Sequence, residues 1–145
     1  MAKNSNKAKF KHQANSKPLF NHSADTGAKI LMHDHKHPVF CFKHLHKDKG
    51  IQNCTNDEQR LFLNQLVNLS KLTWDEIERS PRHGMGSEKI DRNSLKIPCP
   101  AFITDDVTYL LALRFQAKKP FLIHRDRFIC HVIFIDNNFD VYNHS

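Results

Sequence analysis

The chain has 145 residues, with 22 Lys plus Arg against 15 Asp plus Glu, for a formal charge of +7. That length predicts one domain with a single core and leaves little room for a second. The basic excess lies wholly in residues 1–50, where ten Lys face three Asp, whereas 51–145 holds twelve of each sign; this excludes a basic surface spread evenly over the molecule.

Cys41, Cys54, Cys99 and Cys130 form no C-x-x-C pair, and the start MAKNSNKAKFKHQ lacks the apolar run of a secretory signal or membrane helix. A cytoplasmic chain with reduced thiols and no membrane partner is expected. Cys130, inside an apolar run, reads as a small hydrophobe without chemistry. Residues 1–28 are rich in Lys, Asn and Ser, with Phe10 and Phe20 making no periodic face, so a disordered basic tail is expected there and a single α+β domain over 29–145. Lys3, Lys7, Lys9, Lys11 and Lys17 give that tail a salt-sensitive, sequence-independent attraction to phosphates.

Along the chain, HPVFCFKHLH alternates in the manner of a strand at 39–45. In CTNDEQRLFLNQLVNLSKL, Thr55 and Glu58 make a capping box, and Phe62, Leu66 and Leu69 share a helical face. Thr73 and Glu76 repeat the box and start a short second helix that must end before Pro81. Residues 80–102, with Gly84, Gly86, Pro98 and Pro100, read as an irregular excursion. DVTYLLALRFQ, PFLIHR, FICHVIFID and FDVYNHS then read as four strands joined by short turns, an antiparallel meander with the helices on one face.

Three groups of residues are candidates for chemistry. His33, His35, His37, His44 and His46 are crowded together, but their alternate spacing suits an extended segment, and no later pair has closed zinc-site spacing, so no metal or other cofactor is expected. The loop PRHGMGSEKI places Arg82, His83, Glu88 and Lys89 around two glycines. It matches neither phosphate-loop motif, which argues against a nucleotide-binding loop. In the meander, Arg114 shares a strand face with Leu110 and Ala112, while Tyr142 and His144 close the chain. With His131 on the same face and Arg125 and Arg127 at a hairpin rim, these form a phosphate-sized cluster suited to RNA cleavage. His or Tyr takes the 2′-hydroxyl proton, and Arg stabilises the dianionic transition state. Imidazole suits neutral pH better than phenol, so His144 ranks above Tyr142 as the titrating group, with His83 as second choice and Arg82, Lys89, Arg125, Arg127 and His131 binding RNA.

The β-α-α-β-β-β order, with TWDEIERSP, LLALRFQ, FICHVIFID and VYNHS, resembles the RelE/ParE toxin superfamily over residues 38–145. The resemblance implies a ribosome-dependent mRNA interferase that cleaves without a metal, with mRNA and a cognate antitoxin as partners. Arg114 looks like the arginine of the first meander strand, Arg125 or Arg127 like that of the following hairpin, and Tyr142 and His144 like the C-terminal pair. The basic leader, the insertion at 80–102 and the acidic helices depart from the family. Two other classes stay open: a non-catalytic ParE-like protein-binding toxin, and a nucleic-acid-binding accessory protein acting through its lysine tail.

Overall fold

The computed structural model describes residues 36–144. The tail at 1–28, with His33 and His35, lies outside the described residues.

Both capping boxes form. The hydroxyls of Thr55 and Thr73 accept the amide N–H of Glu58 and Glu76, and the two carboxylates accept the threonine N–H in return. They open α1 (Asn56–Ser70) and α2 (Trp74–Arg79), and α2 stops short of Pro81 because a proline would remove a hydrogen bond and clash with the preceding turn. The described strands are β1 (Val39–Cys41), β2 (Glu88–Asp91), β3 (Tyr109–Gln116), β4 (Lys119–Asp126) and β5 (Ile129–Ile135). They make one five-stranded mixed sheet in the order β1-β5-β4-β3-β2, with β1 parallel to β5 and the other neighbours antiparallel. The fold class is α+β.

Three expectations need correction. The strand at 39–45 ends at Cys41, where the chain turns and Leu45 N–H bonds Phe42 O; the segment beyond still tracks β5 through His46 N–H to Ile133 O and Ile135 N–H to Lys49 O. The excursion at 80–102 contains β2, whose four residues EKID carry one apolar side chain and so show no period, yet they satisfy the edge of β3. FDVYNHS is not a strand. Phe139 adopts φ 59°, turning the chain, and the segment makes only an isolated bridge from Tyr142 to Leu95, flanked by Lys96 N–H to Val141 O and Asn143 N–H to Ser94 O.

The two sheet faces differ. On one, Phe62, Leu66 and Leu69 of α1 and Trp74 and Ile77 of α2 pack on Leu113, Phe115, Phe121, Ile123, Cys130, Val132 and Ile135. Phe62 meets Phe121 and Phe115 edge-on, with centroids 5.1 and 5.7 Å apart. On the other, Leu110, Ala112, Leu122, Ile133 and Phe134 are covered by Ile103, Val141 and Tyr142, together with Leu95, Ile97, Cys99 and Val107. This cover comes from irregular chain, tied by the Arg92 guanidinium to the carbonyls of Ile103, Thr104 and Val107. The C-terminal segment therefore crosses the face that bears Arg114.

Candidate active site

Arg114 sits near the end of β3, where the pairing with β4 slips. Arg114 faces Pro120 and Gln116 faces Lys119, leaving Phe115 as the extra residue of a bulge. Phe115 packs on the helix side, and Arg114, 8% exposed, lies on the opposite side with Leu110 and Ala112, as the alternation predicts. Glu88 pairs in register with Ala112, which places its carboxylate diagonally beside Arg114. Glu88 Oε2 accepts from Arg114 Nη2 at 2.6 Å, and its Oε1 accepts from Arg82 Nη1 at 3.1 Å. One carboxylate thus holds two guanidinium groups from opposite walls.

The loop before β2 presents Arg82 and His83. Gly84 and Gly86 N–H both bond Pro81 O, and Gly86 lies so close to Ser80 that a Cβ there would stand 2.1 Å from its carbonyl oxygen. Close approach, not positive φ, is what requires that glycine. Arg82 Nε donates to His83 Nε2 at 3.2 Å, so that ring nitrogen is the acceptor and the imidazole proton is on Nδ1.

The third wall is the C-terminal segment. Asp136, fully buried at the end of β5, accepts Asp140 and Val141 N–H on Oδ1 and faces His144 Nε2 across 2.9 Å on Oδ2. Because an ionised carboxylate only accepts, Nε2 carries the proton and Nδ1 keeps the lone pair. The Tyr142 ring packs against His144, tilted by 37° with centroids 3.8 Å apart. Burial pushes the Tyr142 phenol up, only partly opposed by nearby Arg114, so at neutral pH it is a donor and not a base.

Together Arg82, His83, Glu88, Lys89, Arg114, Tyr142 and His144 line a cleft of about 500 Å³, with Lys118 and Asp91 at its margins. Arg114 Nε and Nη1 and Tyr142 Oη are buried without a hydrogen-bond partner. Each such orphan costs about 1–3 kcal/mol, so the cleft floor holds unmet demand for an acceptor. A tetrahedral oxyanion, with several acceptor oxygens and negative charge, fits that demand.

Six of the nine residues given catalytic or RNA-binding roles from sequence meet here: Arg82, His83, Lys89, Arg114, Tyr142 and His144. The other three do not join them. Arg125 lies on the helix side, its guanidinium 3.9 Å over the Trp74 ring and 2.8 Å from Glu78. Arg127 forms the β4–β5 turn at φ 57° and ion-pairs Asp126 at 3.4 Å. His131 is on the Arg114 face of the sheet but two strands away. It joins an aromatic cluster with His44, His124 and Phe102, where burial and the other two imidazoles push its pKa down and keep it neutral. Among the described residues no three His, Cys, Asp or Glu side chains converge as a metal site. Asp136 was missed from sequence, its one signal being an acid directly after an unbroken apolar run. No protein-family model, curated protein or solved structure matches the chain. Among the described residues no helix is long and apolar enough to cross a membrane.

Proposed function

We propose that the chain is a RelE/ParE-like endoribonuclease that cuts mRNA by metal-independent attack of a 2′-hydroxyl on its own phosphodiester. The observation that supports this reading is the set of buried, unpartnered donors of Arg114 and Tyr142 in a cleft that two histidines also line. His144 Nδ1 takes the 2′-hydroxyl proton, and the oxygen attacks phosphorus. The N–H groups of Arg114 and the Tyr142 hydroxyl stabilise the dianionic phosphorane, where charge develops. His83, once protonated and released from the Arg82 Nε–H that its Nε2 otherwise accepts, gives a proton to the departing 5′-oxygen, leaving a 2′,3′-cyclic phosphate and a 5′-hydroxyl. The sequence β1, α1, α2 and then the meander β3-β4-β5 is compatible with a RelE-like topology to which β2 is added. That reading brings mRNA on the ribosome and a cognate antitoxin as partners.

Mapping of mRNA ends after induction in a bacterial host, with and without translation, tests it. Arg114→Ala should reduce cutting about 10²- to 10³-fold with the fold intact. Unchanged toxicity and cutting in Arg114→Ala, His144→Gln and His83→Gln would replace this reading with a non-catalytic, ParE-like binding toxin.

A further inference from the structure

A second cleft, of about 620 Å³, lies on the helix side of the same edge strand β2. Tyr109 and Trp74 supply aromatic lining, Arg125 and His124 further lining side chains, and Asp106 a carboxylate. Lys89 lines both clefts, with its Nζ 4.7 Å over the Tyr109 ring. Tyr109 is 43% exposed, unusual for a large ring at the start of a central sheet strand. Trp74 is 6% exposed, with one ring face taken by Arg125, yet its Nε1–H is buried and unpartnered. The cleft therefore offers a half-exposed aromatic ring beside a cation and an ionised acceptor, since hydrogen bonds from Thr104 and the backbone hold Asp106 below the usual carboxylate range.

We infer that this cleft binds the nucleobase of the nucleotide adjoining the phosphate held by Arg114, so that single-stranded RNA crosses the edge of β2 with Lys89 between base and phosphate. The inference rests on the ribonuclease reading of the neighbouring cleft. A flat heterocycle stacks on Tyr109, and base N–H groups donate to Asp106. Lys89 over the stacked ring selects a ligand that carries negative charge beside its aromatic part, which a nucleotide does and an apolar peptide side chain does not.

Trp74 is the chain's single tryptophan, so its fluorescence reports this cleft alone. Titration of the full chain with GMP or UMP should quench it saturably, while inorganic phosphate at equal concentration leaves it unchanged. Tyr109→Ala, at an exposed position that does not endanger the fold, should weaken nucleotide binding about 5- to 100-fold. Equal quenching by inorganic phosphate, no quenching by either nucleotide, or unaltered affinity in Tyr109→Ala overturns the inference. Quenching as expected in a protein that cuts no RNA supports the base site, and the ribonuclease reading alone then falls.

Discussion

Asp136 is the residue on which the proposed proton transfer depends, although it does not face the cleft itself. Two backbone N–H groups fix one of its oxygens, so the other can point in only one direction, toward His144. That is the arrangement of a base aligned by a buried acid. Asp136→Asn should lower the cleavage rate about 10- to 100-fold, the usual loss when an orienting partner is removed, with KM little changed. A raised KM with an unchanged single-turnover rate would make Asp136 merely structural. Cys130 shows the opposite case: burial pushes its thiol up to about 12, so it packs and does not react.

The element that sets the site's second wall is the turn at 80–86. It is anchored to α1 by Met85, which packs against the helix-side core and accepts from Gln65 Nε2 at 3.4 Å. Gly86→Ala would put a methyl group 2.1 Å from Ser80 O and 2.7 Å from Pro81 O, both backbone, so the turn must open and carry Arg82 and His83 away. Cleavage should fall about 10²-fold, as misplacement by an ångström commonly costs, with a much smaller effect on the thermal midpoint. Gly84→Ala, whose nearest contact would be 3.5 Å, is the control and should be close to wild type. Comparable losses in both variants would mean that the turn does not position catalytic groups.

At the scale of the whole molecule, Glu58 links segments far apart in the chain. Besides capping α1 it bonds Lys119 Nζ at 2.5 Å and Asn137 Nδ2 at 3.1 Å, joining the start of the helix to the start of β4 and the turn after β5. The Lys119 contact, aided by Thr55 and Asn137, holds the Glu58 carboxyl down to about 2 against the burial that opposes it. A depressed carboxylate stabilises the fold above its ordinary range near 4.3 and loses that contribution as pH falls toward the folded value. Glu58→Gln should therefore destabilise the protein by about 1–3 kcal/mol at pH 7, from the charged partner left unpaired. The gap to wild type should close as pH drops from about 4.5 to 2, measured by urea unfolding across that range. A gap that is constant with pH would show that the ion pair contributes nothing.

What the sequence alone determined is what local chemistry encodes. Two capping boxes start two helices, alternation sets the faces of β3, β4 and β5, and short turns pair them, because each depends on residues within a few positions of one another. The loop residues Arg82, His83 and Lys89 and the strand residue Arg114 were recognisable by type and face. Tertiary structure decided which of them meet. Parity along β4 places Arg125 with Ile123, but only the register Leu111↔Ile123 shows that this is the helix side, away from Arg114. EKID became a strand because the edge of β3 supplied partners, and VYNHS failed to become one because Phe139 turned it across the sheet to meet Leu95. That crossing sets Tyr142 beside Arg114 and gives His144 the buried carboxylate eight residues before it, through backbone bonds that no sequence period records.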